Sequence, residues 1–235
     1  MRKLIGIGMI VILLAALTAC KEEESSGKES FAAPSVTPQT SEQDSAASQS
    51  LAQGKVLVAY FSWADNAVLD EDVDAVASPS VVSPGNVQEL AGWVQEETGG
   101  DLFSIRVTEP YPSDWDACLD RANQERGENA RPKLTEQVEN LEDYDIVFLG
   151  FPNWWYGAPM AVLSFLEEND LSGKQIYLFC SHGTGGLANS VEDIKGVVPD
   201  GKFSDNIFDC YEEDASGSQQ AIQDWVKALQ VPGLS

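Results

Sequence analysis

Three apolar runs constrain this chain most: KVLVAYF at 55–61, DIVFLGF at 145–151 and QIYLFCS at 175–181. None alternates apolar with polar residues, so none suits a sheet with one face in water. Runs of this kind belong to strands covered on both faces, the usual situation of parallel strands flanked by helices. Helical spacing lies between them. NVQELAGWVQEETGG puts Val87, Leu90, Ala91 and Val94 on one face and stops at Gly99, and QQAIQDWVKAL repeats the spacing with Ile222, Trp225, Val226 and Leu229. SDWDACLDRANQERG, from 113, reads as a helix capped by Ser113 or Asp114. DLFSIRV at 101–107 alternates and reads as an edge strand, and SDNIFDC reads as the last strand. Strand and helix alternate through the chain, which gives an α/β fold with a doubly wound sheet.

The first residues do not belong to that pattern. Arg2 and Lys3 precede an apolar stretch from Leu4 to Ala16 that is short for a bilayer span and has the charge order of an export signal. It ends in LTAC, which resembles the lipobox of bacterial lipoproteins; the resemblance implies a signal peptide over 1–19 and lipidation of Cys20. Residues 20–54 are rich in Ser, Gln, Glu and Ala with a single aromatic, too little apolar surface to offset the entropy of ordering. They read as a disordered tether that would hold the folded domain, 55–235, roughly 30 Å from the membrane.

Charge excludes several functions. Against 14 basic residues stand 38 acidic ones, a formal net charge of −24, and loss of Arg2 and Lys3 with the leader makes the mature chain more negative still. Such a surface repels phosphate backbones and anionic lipid, so nucleic acid is not a partner and the membrane is reached through the lipid on Cys20 only. Beyond Cys20 the cysteines are Cys118, Cys180 and Cys210, an odd number without CxxC spacing, which argues against a disulfide scaffold or structural zinc. His182 is the one histidine, so no metal site is expected.

In doubly wound sheets, ligands gather at the carboxyl ends of the strands. Here those ends read YFSWADN, GFPNWWYGAP and FCSHGTGG, three loops of hydroxyls, amides, glycines and aromatics. In these motifs, VLVAYFSWADN, FLGFPNWWYGAPM and LFCSHGTGG in order, the chain resembles the flavodoxin-like family, in its bacterial lipoprotein and secreted branch, over nearly all of 55–229. The resemblance implies a five-stranded parallel sheet in the order 2-1-3-4-5 and an FMN held by a phosphate loop after the first strand and two ring-holding loops after the third and fourth.

The residues themselves are compatible with a flavin. An isoalloxazine needs an aromatic or apolar plate, and stacking contributes on the order of 1 kcal/mol beyond area burial. Trp154, Trp155 and Tyr156 are the candidate plates, with Trp154 or Trp155 as the stacking residue; the alternative is that the trio roofs the core. Pro152 and Pro159 stiffen the loop, while Asn153 and Gly157 offer an amide and a bare backbone. Ser181, Gly183, Gly185 and Gly186 let backbone amides approach the ring's polar edge. His182 is a candidate catalytic proton donor, or a polar loop residue without that role.

The phosphate loop departs from the family pattern. Ser62 and Trp63 follow the first strand, but an insertion runs to about residue 83 before the helix start SPGNV. Ser62, Ser83, Pro84, Gly85, Asn86 and Val87 are the expected anion nest at a helix N-terminus, with Val87 where a hydroxyl is usual. The insertion brings Asp65, Asp70, Glu71, Asp72 and Asp74 toward it, or is a surface hairpin with no ligand role. Two functions follow. One is a lipid-anchored FMN protein passing electrons to or from a partner with a basic face, or to a small acceptor such as a quinone. The other is a non-redox binding lipoprotein that keeps the fold without flavin.

Overall fold

The computed structural model describes residues 54–69 and 78–231; Cys20, the leader, the tether up to residue 53 and Asp70, Glu71, Asp72 and Asp74 lie outside the described residues. The central sheet is parallel throughout. Strand β1 (Lys55–Tyr60) pairs with β2 (Asp101–Ser104) on one side and β3 (Tyr144–Pro152) on the other. Strand β3 in turn pairs with β4 (Gln175–His182), whose outer edge carries β5 (Phe208–Tyr211) toward its carboxyl end. The order is therefore β2-β1-β3-β4-β5, as the family resemblance implies, with one refinement: Lys202–Phe203 forms a separate short strand along the start of β4. The fifth position is split where Ser204 Oγ accepts from the Asn206 amide at 3.1 Å, a local turn that competes with the ladder.

The three apolar runs are buried on both faces, and successive residues feed opposite layers. Leu57, Ala59, Val147, Leu149, Ile176 and Leu178 join one core layer, and Val56, Val58, Ile146, Phe148, Tyr177 and Phe179 the other. The second layer is covered by α1 (Asn86–Thr98) and α5 (Gln219–Ala228), which present Val87, Leu90, Ala91, Val94, Ile222, Trp225 and Val226. Helix α1 stops at Gly99, which takes a φ of 66° as a C-terminal cap. The first layer lies under α3 (Met160–Glu168) and α4 (Ser190–Val197), with Cys118 of α2 (Trp115–Gly127) at its margin; the N-cap of α2 is Asp114, whose Oδ1 accepts from the Ala117 amide at 2.9 Å.

Helix α3 is buried from Met160 to Leu166, where Ser164 is the one polar residue, and ends in the exposed Glu167 and Glu168. Its outward side is closed by the segment that follows α2. There Leu134 bridges Val107, Arg131 pairs with Glu167 at 2.6 Å, and the Val138 amide donates to Asn169 Oδ1 at 3.4 Å.

The described part of the insertion is not a surface hairpin. Residues 63–66 make one helical turn, and 67–68 pair in parallel with 111–112. Trp63 is buried and donates its indole N–H to the Pro112 carbonyl at 3.0 Å, and Val81 is buried in the core. The fixed point is Asn66, buried at the end of that turn. Its Nδ2 donates to the carbonyls of Ser62 at 2.9 Å and Ile105 at 3.0 Å, and its Oδ1 accepts from the Val107 amide at 2.8 Å. Asn66→Ala leaves the Ile105 carbonyl and the Val107 amide without their side-chain partner, each at a cost of about 1 kcal/mol or more, so a loss of about 2 kcal/mol is expected in urea unfolding. A loss below about 1 kcal/mol would mean water replaces both bonds.

Candidate functional site

Three loops leave the carboxyl edge of the sheet and meet around one crevice with a cavity volume of about 200 Å³. Ser62 and Trp63 come from the end of β1, Pro152 to Tyr156 from β3, and Ser181 to Gly185 from β4. Of the residues expected at the site, these loops and Asn86 and Val87 at the start of α1 are brought together. Ser83 and Pro84 are exposed and do not line the crevice, nor do Gly85, Gly157 and Gly186. Gly85 instead packs behind the crevice: a Cβ there would lie 2.3 Å from Ser62 Oγ and 2.9 Å from the Ser80 carbonyl. Asp65, among the described part of the insertion, accepts from Ser104 Oγ at 2.6 Å and faces β2 rather than the crevice.

The aromatic trio divides into two roles. Trp154 lies edge-on against Phe61, Trp63 and Tyr111 at 5.2, 6.3 and 5.1 Å between centroids, so it does roof the core while showing one side to the crevice. Trp155 and Tyr156 are 43% and 61% exposed at the mouth. They form the centre of a two-residue hairpin in which Trp154 and Gly157 exchange both backbone hydrogen bonds at 2.9 and 3.0 Å. Both central residues have positive φ, 50° and 61°. This is a type I′ turn, which ordinarily takes Asn and Gly. For side chains with a Cβ the left-handed region costs roughly 1–2 kcal/mol per residue.

The strained turn is held from outside. A Cβ on Gly157 would fall 1.9 Å from Arg126 Nη1, so only glycine lets that guanidinium lie on the backbone. Arg126 Nη2 pairs with Asp193 at 2.9 Å, and the same carboxylate oxygen accepts from the Ala158 amide at 3.1 Å. The Asn153 side chain bridges loops: its Nδ2 donates to the Gly186 carbonyl, its Oδ1 accepts from Ser190 Oγ at 3.2 Å, and its backbone amide donates to the Ser181 carbonyl at 3.0 Å. It therefore fixes the β3 loop to the β4 loop.

His182 lines the crevice, but both ring nitrogens are engaged. Nδ1 lies 2.8 Å from the Gly183 carbonyl and Nε2 2.9 Å from Asp209 Oδ2. Both neighbours are acceptors, so only the doubly protonated ring makes both bonds together.

The sequence reading missed two walls of the crevice. Helix α2 contributes Trp115, Cys118, Leu119 and Ala122, held in place where Arg121 pairs with Glu125 at 2.8 Å and lies 4.0 Å over the Tyr111 ring. Burial pushes the Cys118 thiol up to about 12, so it is no nucleophile at neutral pH. The second wall is a polar cluster of Ser78, Ser80 and Glu212. Ser78 Oγ donates to Glu212 Oε2 at 2.9 Å and lies 2.7 Å from Ser80 Oγ; Asn86 Nδ2 donates to the Glu212 carbonyl at 2.8 Å and lies 3.3 Å from Ser181 Oγ.

A parallel sheet in this order, with helices on both faces and a loop-built crevice at its carboxyl edge, defines a doubly wound α/β protein of the flavodoxin-like class. The flavodoxin family profile matches residues 55–229, and the chain belongs to that family. A crystal structure of a Bacteroides eggerthii DSM 20697 protein assigned as a flavoprotein superposes with a TM-score of 0.57 at 27% identity, over 76% of this chain and 99% of that one. A Lactobacillus acidophilus NCFM flavoprotein in complex with FMN shares the fold, with a TM-score of 0.51 at 15% identity over 71% of this chain and 99% of that one. Flavodoxin 1 of Salmonella typhimurium is 27% identical over 120 residues, 49% of this chain and 54% of its own length, so the chain spans about half the length of the curated relatives it matches.

Replacing the turn by its preferred residues, Trp155→Asn with Tyr156→Gly, is expected to raise unfolding stability by less than about 1 kcal/mol, since the relief of two unfavourable φ angles is partly offset by the burial lost with Trp155, which is only 43% exposed. Lower stability in urea titration would show that the two rings, not the backbone, hold the loop.

Proposed function

We propose that this chain binds FMN in the crevice and passes electrons between the flavin and a redox partner or small acceptor, on the extracytoplasmic face of the membrane to which the lipid on Cys20 anchors it. The observation that carries the reading is the convergence of three loops on one crevice with aromatic, glycine-rich and helix-start walls. Bound flavin would supply one- and two-electron transfer. The protein's part is to hold and orient it. Trp155 and Tyr156 offer an exposed aromatic surface at the mouth, and the short backbone at Gly183 and Gly185 allows close approach to a ring edge. Ser62 and the start of α1 stand where the tail would end. The anchor rests on the sequence alone, on the charged leader and LTAC.

The acidic surface bears on the reaction. A net charge of −24 disfavours a tetra-anionic dinucleotide as donor and favours a partner with a basic face. It also raises the cost of adding negative charge to the flavin, so the second reduction step is expected at a potential below that of free FMN; a spectroelectrochemical titration giving a value above free FMN would contradict this.

Purification tests the core of the proposal. The full chain should be yellow, or take up FMN with oxidised-flavin absorbance, and should bleach on reduction and recover with an added quinone. A colourless protein that takes up neither FMN nor riboflavin would leave the non-redox binding role. Trp155→Ala should weaken FMN binding with little change in stability, because Trp155 is half exposed. Trp154→Ala should instead lower stability by about 2 kcal/mol or more, because Trp154 packs on three core rings. The reverse pattern would move the stacking role to Trp154.

A further inference from the structure

The polar end of the crevice carries a feature that phosphate binding does not need. Among the described residues lining it there is no Lys or Arg, and one carboxylate, Glu212, stands there. Glu212 follows β5 directly and reaches back toward the start of α1. Its backbone carbonyl accepts from Asn86 Nδ2 at 2.8 Å, while its Oε2 accepts from Ser78 Oγ at 2.9 Å. Ser78 is buried, and a Cβ on Gly183 would lie 3.4 Å from Oε1, so the carboxylate sits between the helix start and the β4 loop.

The direction of the hydroxyl protons matters here. An ionised carboxylate only accepts, so Ser78 spends its one proton on Glu212. The 2.7 Å contact between Ser78 and Ser80 then requires Ser80 to donate to Ser78. The Ser80 backbone amide also points at Ser78 Oγ, at 3.3 Å. Two hydroxyls and an amide that would otherwise suit an anion are thus oriented in a relay toward the chain's own carboxylate. The neighbouring charges give no relief: His182 is paired with Asp209, and Glu213 and Asp214 lie beside Glu212 in sequence and are exposed.

We propose that Glu212 is a specificity-determining residue of the crevice: its carboxylate takes up the Ser78 hydroxyl beside the start of α1, opposes a phosphorylated ligand tail, and leaves an unphosphorylated, hydroxylated tail unaffected. The proposal rests on the flavin reading above. A dianionic phosphate entering the nest meets a carboxylate and finds the Ser78 and Ser80 protons already committed. A ribityl tail that ends in a hydroxyl carries no charge and meets no such repulsion. In Glu212→Gln the charge is gone and the amide can donate to Ser78, which frees Ser78 and Ser80 to turn their protons toward a phosphate.

The test compares FMN with riboflavin on the full chain, wild type against Glu212→Gln and Glu212→Ala, by titration of flavin fluorescence at two ionic strengths. Both variants keep the backbone bond from Asn86, so the helix start is undisturbed. FMN affinity is expected to rise on the order of tenfold in both variants, with the difference narrowing at high salt. Riboflavin affinity should change by less than about twofold, a shift too small to reflect a lost charge interaction. If FMN and riboflavin shift together, or FMN is unchanged or weaker in the variants, Glu212 is not a discriminator, and the flavin reading survives. If neither flavin binds wild type or variants, the flavin reading falls and this proposal with it.

Discussion

Burial of β1, β3 and β4 on both faces is the constraint from which the rest of the molecule follows. A strand with no wet face must be covered twice, and parallel neighbours require each connection to cross over the sheet, so helices end up in both layers. The interior then has no room for unsatisfied polar groups. Hydroxyls, amides and charges collect where strands give way to loops, and at the carboxyl edge three such loops face one another across β1, β3 and β4. The crevice is a geometric result of that arrangement before it is a chemical one.

Its walls hold in different ways. The β3 turn is strained and is clamped by Arg126, Asp193 and the fit of Gly157 beneath the guanidinium. The loop after β1 hangs on Asn66, which satisfies three backbone groups at once. The polar end is knit by Asn86, Ser78 and Glu212. Conformations that would be unfavourable alone, such as two aromatic residues at positive φ, persist because their surroundings over-determine them, a pattern that concentrates at binding sites.

Much of this was legible in the sequence. The strands fell where continuous apolar runs lay, because burial on both faces leaves a compositional trace that needs no tertiary knowledge. Helices α1 and α5 were readable from their apolar spacing, and Gly99 from its place as a stop. The site loops could be named because they follow strands directly. What escaped was contributed at a distance. Helix α2 buries little beyond Cys118, so its sequence gave no hint that Trp115 and Leu119 face the crevice. Glu212 arrives from the far end of the domain, and Ser78 and Ser80 from within an insertion that has no regular period. SPGNV read as one contiguous nest, yet Ser83 and Pro84 face outward, since only the helix start itself faces the crevice. Trp154 and Trp155 could not be separated by spacing, because adjacent residues differ only in which one the turn directs inward.

The strap from residue 129 to 138 has a consequence for assembly. By lying across α3 it turns a helix buried from Met160 to Leu166 into an interior element, and its outer edge presents Lys133, Glu136 and Gln137 to water. A neighbour of this domain therefore meets a charged belt on that flank and no greasy face to associate with. Trp115, Trp155 and Tyr156 leave exposed aromatic surface at the crevice mouth, so encounters made there fall on the same rim where the ligand would sit.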